Sequence, residues 1–484
     1  MSINVLSLKA YNFYINGEWR ESKSGETIKI TSPYLYEVIG KVQAVTIEEI
    51  DKAINFAHEA QKIWAETSLQ KRAKFLYKWA DELLNMQDEI AEIIMKEVGK
   101  SLKDAKNEVV RTADFIRYTV EEAMHMHGES MKGDSFPGGS KAKIAIVERV
   151  PLGVILAIPP FNYPVNLAAA KLAPALISGN AVIFKPATQG AISGIKMIEA
   201  LHKANFPKGL VNIVTGRGSV IGDYLVEHKG INMISFTGGT NTGISLAKKA
   251  GMIPLVLELG GKDPGIVRED ADLHEAAKHI ISGAFSYSGQ RCTAIKRVLV
   301  HESVADELVS ILKEEIEKLA VGSPEEGNTV VPLIDDQSAD FVHGLIDDAM
   351  KKGADLVTGN KRERNLIYPT LLDHVSEVMD VAWKEPFGPV LPVIRVSSDE
   401  EAINIANKSE FGLQASIFTK DINKAFTIAN KIETGSVQIN GRTERGPDHF
   451  PFIGVKGSGM GAQGIRKSIE SMTREKVTVL NLAE

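Results

Sequence analysis

The chain has one cysteine in 484 residues, Cys292, in the stretch S-G-Q-R-C-T-A at 288–294. A lone cysteine forms no intramolecular disulfide and cannot build a cysteine zinc site. Two interpretations remain: a small buried hydrophobe, which is common for free cysteine, or a nucleophile. The local sequence alone slightly favours the first.

A carboxylate ends one of the apolar runs. Glu258 closes P-L-V-L-E and opens E-L-G-G-K. A charged carboxylate is costly to bury, so in an apolar setting the group would take up a proton near neutral pH, which is the profile of a general base. The alternative is a glutamate at the exposed end of a strand, without a chemical role.

Three turns carry residues that could bind a nucleotide. F-T-G-G-T-N-T-G places Gly238 and Gly239 before a predicted helix, where backbone N–H groups can approach a phosphate. T-G-R-G-S (215–219) is a second glycine-rich turn, and Lys185 ends the run A-V-I-F-K, within reach of a ribose or its phosphate. A βα turn that needs a positive φ angle explains such glycines equally well. Three turns together favour dinucleotide binding.

These residues need a parallel sheet to bring them together. Five apolar runs between residues 151 and 258 alternate with helix-length segments: G-V-I-L-A-I, A-V-I-F-K, L-V-N-I-V, I-N-M-I-S-F and P-L-V-L-E. This pattern predicts βαβ units with both sheet faces covered, and a nucleotide then binds at the carboxyl ends of the strands. The later runs R-V-L-V-H and L-P-V-I-R-V predict a second α/β unit.

The N-terminal region is predicted to be mainly helical. Thr46 and Glu49 form a capping-box pattern at the start of a helix. A second helical run covers about 71–98 and ends at Gly99, and a third begins near Ser101.

Two further strands lie outside these units. Residues 141–150 alternate like a hairpin arm, and the tail from 468 to 482 ends in V-T-V-L-N-L without a partner nearby in sequence. Such a strand pairs elsewhere, and a neighbouring subunit is one candidate.

Composition excludes several classes of protein. Hydrophobic residues make up 44% and charged residues 24%, as in globular proteins, and the length predicts two or three domains. The net charge of −6 gives no nucleic-acid footprint, and no 18-residue apolar window predicts a membrane span. The N-terminus lacks a signal-peptide core, which together with one cysteine predicts a cytoplasmic protein. The 11 histidines form no H-E-x-x-H motif, so no metal is predicted.

Several motifs together resemble one family. E-L-G-G-K, G-Q-R-C, K-E-P-F-G-P (384–389), P-P-F-N-Y-P (159–164) and the F-T-G-G-T-N-T-G turn occur in the order and approximate spacing of the aldehyde dehydrogenase superfamily, over essentially the whole chain. Within it, F-N-Y-P-V-N-L, S-G-Q-R-C-T-A, V-V-R-T-A and R-G-P-D-H-F-P-F resemble the NADP-dependent, non-phosphorylating glyceraldehyde-3-phosphate dehydrogenases. The resemblance implies that Cys292 is a nucleophile.

The resemblance also implies an architecture. It is an α/β fold with a Rossmann-type cofactor domain, an α/β catalytic domain and a small β oligomerisation element, through which subunits pair as dimers and commonly as a homotetramer. The implied boundaries are 1–129 and 149–257 for NADP binding, 258–440 for catalysis, 441–463 for a return segment with substrate-binding residues, and 130–148 with 464–484 for oligomerisation.

Site residues follow from the resemblance, position by position. Cys292 is the implied nucleophile, Glu258 the general base, and Asn162 an oxyanion donor beside the Cys292 N–H. The implied cofactor-binding residues are Pro159, Lys185, Thr188, Asp223, Gly238, Gly239, Leu259, Glu385 and Phe387. The implied substrate-binding residues are Arg111, Asn162, Tyr163, Arg291, Thr293 and Arg445.

The implied reaction oxidises D-glyceraldehyde 3-phosphate to 3-phosphoglycerate with reduction of NADP and without inorganic phosphate. Thiolate attack gives a thiohemiacetal, hydride loss gives a thioester, and water activated by Glu258 hydrolyses it. NAD-preferring relatives often carry glutamate at the position of Thr188. A neutral hydroxyl there, beside Lys185, leaves room for the 2′-phosphate of NADP, so NADP is the predicted cofactor. Arginines suit a substrate phosphate, and several in one pocket would be costly without an anion.

Two alternatives remain open at this stage. One is another dehydrogenase of the family, acting on a carboxylate-bearing aldehyde such as succinic semialdehyde, since fold does not fix substrate. The other is a scaffold that has lost catalysis, which the presence of Cys292, Glu258 and Asn162 disfavours.

Overall fold

The computed structural model describes residues 9–482. Eight of the N-terminal residues used for the signal-peptide expectation lie outside that range. Within it, no helix is both long and apolar enough to cross a bilayer.

The largest sheet has eight strands and contains the five predicted ones. In spatial order they are β25 (Gly459–Met460), β12 (Leu255–Glu258), β11 (Met233–Thr237), β8 (Val154–Ile158), β9 (Ala181–Phe184), β10 (Val211–Ile213), β2 (Phe13–Ile15) and β3 (Glu18–Arg20). The five from β12 to β10 are parallel, and the flanking strands are antiparallel. The prediction of parallel βαβ units is confirmed.

A second sheet of seven strands forms the other α/β unit, which is also confirmed. In spatial order it contains β15 (Asp355–Thr358), β18 (Thr370–Asp373), β19 (Val390–Val396), β14 (Ile295–His301), β13 (Asp263–Val267), β21 (Gln414–Phe418) and β22 (Ser436–Ile439). All pairs are parallel except β15 with β18. Apolar side chains on its two faces form two separate cores.

The terminal strand finds its partner in the same chain. β27 (Thr473–Asn481) pairs antiparallel with β7 (Lys143–Pro151), which also pairs with β6 (Glu129–Lys132). The suggestion that β27 pairs with a neighbouring subunit is therefore not needed to explain this strand. The preceding helix packs differently, because Ile465 and Ile469 lie in the core of the first sheet.

Within residues 9–482 the chain forms fourteen α-helices: α1 (Ile47–Ala65), α2 (Leu69–Asn85), α3 (Gln87–Val98), α4 (Leu102–His125), α5 (Asn166–Ile177), α6 (Ala191–Lys203), α7 (Gly218–Glu227), α8 (Thr240–Lys249), α9 (Leu273–Phe285), α10 (Glu302–Ile316), α11 (Asp336–Lys351), α12 (Asp399–Asn407), α13 (Ile422–Ala429) and α14 (Ile465–Ser471). The Thr46–Glu49 capping box is present. The single helix predicted over 71–98 is wrong, because Met86 leaves helical geometry (φ −102°, ψ 12°) and divides it. Gly99 ends α3 with φ 71°, as predicted.

The remaining strands are β1 (Ala10–Tyr11), β4 (Thr27–Thr31), β5 (Val38–Gln43), β16 (Arg362–Glu363), β17 (Leu366–Ile367), β20 (Phe411–Gly412), β23 (Phe452–Ile453), β24 (Val455–Lys456) and β26 (Ala462–Gln463). They form one three-stranded sheet (β1, β5 and β4) and three two-stranded sheets (β16 with β17, β20 with β24, and β23 with β26).

Candidate active site

Cys292 lies on a tight loop between α9 and β14. Three consecutive residues before it, Tyr287, Ser288 and Gly289, have left-handed backbone geometry (φ 52°, 55° and 71°). Hydrogen bonds hold the loop, because Tyr287 Oη donates to Val98 O and Ser288 Oγ donates to Val331 O, both at 2.7 Å. Non-glycine residues adopt this geometry only where the surroundings impose it, as at functional sites. The loop fixes the position of the thiol.

The thiol is protonated at neutral pH. Burial raises the pKa of Cys292 to about 12, and nearby Lys296 opposes that rise. Lys296 Nζ donates to the Cys292 carbonyl oxygen at 2.5 Å. The thiolate, rather than the thiol, attacks carbonyl carbon, so the site must remove this proton.

Glu258 ends β12 and is only 6% exposed, so it is not the exposed strand-end residue of the alternative interpretation. It is also not an isolated buried carboxylate. Thr237 Oγ1 donates to its Oε2 at 2.7 Å and accepts from Lys171 Nζ at 2.7 Å, while Arg445 Nη1 donates to Oε1 at 2.8 Å. Lys171 Nζ itself lies 3.9 Å from Oε2. Cations on both sides therefore compensate the burial of this carboxylate.

Seven of the predicted site residues line one cavity of about 130 Å³. They are Arg111, Tyr163, Glu258, Arg291, Cys292, Thr293 and Arg445. The cavity also has residues that the sequence reasoning missed: Asn166, Leu167, Thr237, Arg442, Glu444 and Phe452. A nucleophile, a carboxylate and a group of arginines thus share one enclosed space.

Asn162 is held against the nucleophile's loop. Its Nδ2 donates to Gln290 O at 2.8 Å, two residues before Cys292. Its buried Oδ1 has no hydrogen-bond partner within residues 9–482. Asn162 is not among the residues that line the cavity, and its Nδ2 is engaged by the loop, so its role as an oxyanion donor stays a prediction.

Three of the four arginines that line the cavity have carboxylate partners, which corrects the expectation that only an anionic ligand could neutralise them. Arg111 forms a fork with Asp448, with Nε and Nη2 donating at 3.0 and 2.9 Å. Arg442 pairs with Glu444, at 2.7 Å. A phosphate would have to exchange with these carboxylates.

Arg291 faces the end of α9 and is buried, with 7% of its surface exposed. Its Nη2 donates to the carbonyl oxygens of Ser282 and Gly283, and its Nε has no partner within residues 9–482. Burial lowers the pKa of its guanidinium.

The glycine pair before α8 is not explained by turn geometry. Neither glycine has a positive φ angle, and that of Gly239 is −66°. A Cβ added to Gly238 would come within 2.5 Å of the Phe236 ring, whereas one added to Gly239 would meet open space. The open backbone at the start of α8 can receive a phosphate, so the positive-φ alternative is wrong here.

Lys185 lies at the carboxyl end of β9 and is buried. Its Nζ donates to Pro186 O at 3.2 Å, and burial lowers its pKa to about 8. Thr188 is half-buried nearby in sequence. By contrast, Asp223 is exposed on α7 and pairs with Lys249 at 2.5 Å.

Two of the other predicted cofactor residues, Leu259 and Glu385, lie at the E-L-G-G-K turn. Leu259 is buried and packs directly against Gly243, where an added Cβ would lie only 2.4 Å from Leu259 Cδ2. Glu385 Oε1 accepts a hydrogen bond from the Gly261 N–H at 3.1 Å. Phe387, at φ 49°, packs edge-on against Phe161 with ring centres 5.9 Å apart. Pro159 is buried at the end of the β8 strand.

Lys171 is the missed residue that sequence could have found. It stands in N-L-A-A-A-K-L-A-P-A-L-I, the otherwise almost entirely apolar helix α5, and is fully buried. A lysine in such a helix must have a partner, and here that partner is the Thr237–Glu258 pair.

Comparisons with known proteins identify the family of this chain. The profile of the Aldehyde dehydrogenase family matches residues 19–478. The chain is 54% identical over 480 residues to the NADP-dependent glyceraldehyde-3-phosphate dehydrogenase of Pisum sativum, covering 99% of this chain and 97% of that one. It is 53% identical over 476 residues to that of Streptococcus equinus, covering 98% and 100%.

A solved structure gives the same result. The crystal structure of NADP-dependent glyceraldehyde-3-phosphate dehydrogenase from Bacillus halodurans C-125 complexed with NADP matches with a TM-score of 0.97 and 60% identity, covering 98% of this chain and 100% of that one. The family resemblance read from the motifs is confirmed: the chain belongs to the aldehyde dehydrogenase family.

Proposed function

We propose that the protein oxidises D-glyceraldehyde 3-phosphate to 3-phosphoglycerate with NADP as the oxidant and without inorganic phosphate. The observation that carries the proposal is the single cavity lined by Cys292, Glu258, Arg111 and Arg445. Relatives that share more than half of their residues with this chain are NADP-dependent glyceraldehyde-3-phosphate dehydrogenases. The arginines suit the phosphate of the substrate, and the thiol suits its aldehyde.

The first step is addition of sulfur to the aldehyde carbon. Because the thiol is protonated at neutral pH, a base must accept its proton. Two carboxylates line the same cavity, Glu258 and Glu444, and the family motif points to Glu258. The sulfur–carbon bond forms while the carbonyl oxygen gains negative charge. Asn162 and the Cys292 N–H are the proposed donors to that oxygen, and loss of one such donor typically costs about 10²–10³ in kcat.

NADP, when bound, supplies the acceptor for the hydride whose loss leaves a thioester on Cys292. The residues that would hold it are Lys185 and Thr188 beside the adenosine phosphate, and Gly238 and Gly239 beside the pyrophosphate. The buried ammonium of Lys185 and the open backbone at Gly239 fit such a ligand.

The last step hydrolyses the thioester. Glu258 takes a proton from water, the hydroxyl oxygen adds to the thioester carbon, and the carbon–sulfur bond breaks. Thr237 Oγ1 holds the carboxylate at Oε2 during this step, and Lys171 Nζ in turn donates to Thr237 Oγ1. The product is a free acid.

The test is an NADP reduction assay in phosphate-free buffer, with glyceraldehyde 3-phosphate, glyceraldehyde and succinic semialdehyde as parallel substrates. We expect NADPH and 3-phosphoglycerate in equal amounts and a much higher kcat/KM for the phosphorylated substrate. Cys292→Ser should abolish the reaction. Preference for the carboxylated aldehyde, or a requirement for phosphate, would contradict the proposal.

We further propose that the enzyme works as a homotetramer in the cytoplasm. The exposed apolar residues of the β6–β7–β27 sheet, including Met131, Val477 and Val479, support assembly. Catalysis by a free thiol supports a reducing compartment.

A further inference from the structure

Arg445 contacts the proposed general base and lines the cavity together with Arg111, the other arginine proposed to bind the substrate's phosphate. Its Nη1 donates to Glu258 Oε1 at 2.8 Å, and its Nη2 donates to Gln463 Oε1 at 2.9 Å. Its side chain is 13% exposed and lines the cavity beside Arg111. The cation proposed to bind the substrate's phosphate is therefore hydrogen-bonded to the proposed general base.

This contact opposes the proposed role of Glu258 as the acceptor of a proton from water. Thr237 Oγ1 donates to Oε2, so together with Arg445 it engages both oxygens of the carboxylate. A charge-assisted bond from a guanidinium stabilises the carboxylate, and that stabilisation is lost when the carboxylate takes a proton from water. While Arg445 stays on Oε1 and Thr237 on Oε2, each oxygen already accepts a hydrogen bond, so the attacking water has to compete with the guanidinium for Oε1.

The surroundings of Arg445 offer a route for exchanging partners. Arg111 Nη2 donates to the backbone oxygen of Arg445 at 2.8 Å and also binds Asp448 Oδ1 at 2.9 Å. The same Oδ1 lies 3.6 Å from Arg445 Nε. Two arginines thus meet around one carboxylate. A phosphate dianion carries more charge than a carboxylate and suits the guanidinium fork, so it competes for Arg445.

We propose that Arg445 couples recognition of the substrate's phosphate to release of the general base. The phosphate takes the guanidinium from Glu258, and Oε1 becomes available to accept the proton of the attacking water. The hydroxyl oxygen bonds to the thioester carbon, the carbon–sulfur bond breaks, and Cys292 leaves as thiolate. Arg445 is then a specificity-determining residue that acts on hydrolysis as well as on binding. This inference rests on the proposed function.

The experiment divides the substrate into two pieces. The wild-type enzyme is acylated with radiolabelled glyceraldehyde and NADP, and decay of the acyl-enzyme is followed by rapid quench with and without phosphite dianion. We expect saturating phosphite to accelerate this decay about 10- to 100-fold, the range expected for exchange of a charged hydrogen bond. Acceleration of acylation alone, with decay unchanged, would overturn the coupling.

Two variants separate coupling from phosphate binding. In Arg445→Gln the ratio of decay rates with and without phosphite should fall towards one, and Arg445→Lys should restore part of it. Arg111→Gln is the matched comparison, because Arg111 pairs with Asp448 rather than Glu258. It should raise the phosphite concentration needed while keeping the maximal acceleration. A full phosphite effect in Arg445→Gln would refute the proposal.

The wild-type measurement needs no variant, so unchanged decay overturns the coupling even if Arg445→Gln does not fold, and Arg445→Lys then tests the role of this residue. The two levels of inference also fail separately. If glyceraldehyde 3-phosphate is not oxidised in the phosphate-free assay, the proposed function is wrong. If it is oxidised but phosphite leaves the acyl-enzyme decay unchanged, only the coupling is wrong.

Discussion

Lys296 and Glu385 form an ion pair directly behind the nucleophile, with Nζ 3.1 Å from Oε1. The same ammonium donates to the carbonyl oxygen of Cys292, and the same carboxylate oxygen accepts the Gly261 N–H. The pair therefore connects the nucleophile's loop with the E-L-G-G-K turn and with a residue predicted to bind the cofactor. Lys296 is 2% exposed as a side chain, so its charge acts at short range on the thiol.

The first prediction concerns the reactivity of Cys292. With a pKa of about 12, a fraction of only about 10⁻⁵ of the thiol is ionised at pH 7, so alkylation by iodoacetamide should be slow and rise about tenfold per pH unit from 7 to 9. Because this is the only cysteine, the label reports on one site.

Two variants should shift the rate in opposite directions. Lys296 lowers the pKa of Cys292, so Lys296→Met should slow alkylation, whereas Glu258 raises that pKa, so Glu258→Gln should speed it. A plateau of the wild-type rate below pH 8 would contradict the prediction.

The second prediction concerns the choice of cofactor. Burial lowers the pKa of Lys185 to about 8, so the ammonium is charged below that pH and neutral above it. The ratio of kcat/KM for NADP over NAD should therefore fall as the pH rises through about 8, because only NADP has the 2′-phosphate that needs this charge.

Substitutions at the same place give the matched test. Lys185→Met should lower the NADP/NAD ratio about 10- to 100-fold at pH 7, and Thr188→Glu should lower it by repulsion of the 2′-phosphate. An unchanged ratio in both variants, or no pH dependence in the wild type, would show that another group selects the cofactor.

The buried strands could be predicted from the sequence because each one is marked by its own run of apolar residues. Residues 154–158 and 181–184 are uniformly apolar, since the parallel sheet buries both of their faces, and each run can be recognised without knowing its neighbours. The break between α2 and α3 could not be predicted, because the apolar periodicity continues through Met86. The partner of β27 lies more than 300 residues earlier in the chain, where no local pattern identifies it.

The site residues also fall into those that local motifs identify and those that only the fold brings together. Cys292 and Glu258 could be named from motifs, but the ion pair of Glu258 with Arg445 joins residues 187 positions apart. Carboxylates such as Asp448 look like any surface residue in sequence, and only the fold shows that it faces Arg111.

The third prediction concerns substrate selection by Arg111. Arg111→Gln should lower kcat/KM for glyceraldehyde 3-phosphate about 10- to 100-fold and affect glyceraldehyde much less, because only the former carries the phosphate. Arg117→Gln is the control on the same helix, since Arg117 pairs with Asp81 at 2.7 Å outside the cavity. Equal losses on both substrates would place Arg111 in the fold rather than in the phosphate subsite.

The fourth prediction concerns assembly. Val477 and Val479 are 55% and 47% exposed and lie on one face of β27. Replacing both by lysine should reduce the particle mass measured by light scattering, because charges at a buried apolar contact are not compensated. Thr478→Lys, on the opposite face of the same strand, tests whether this effect belongs to one face. Unchanged mass in the double variant would remove this face from the proposed interface.

The last prediction separates the two chemical steps by their bases. Glu258→Gln keeps the shape of the side chain, and its amide can still meet Thr237, but it cannot hold a proton taken from water. Hydrolysis should therefore slow more than acylation if another group can accept the thiol proton, and the enzyme should give one NADPH per active site followed by a low steady rate. Intact-mass analysis of the quenched protein should show the acyl group on Cys292.

Lys171→Met is the companion variant, because it removes the cation behind the carboxylate and keeps the base itself. It should slow hydrolysis less than Glu258→Gln does, since Thr237 and Arg445 still hold Glu258. The absence of a burst in Glu258→Gln, together with loss of acylation, would instead identify Glu258 as the base for the thiol. Undiminished steady turnover would exclude the carboxylate from both steps, because no proton acceptor would then be missing.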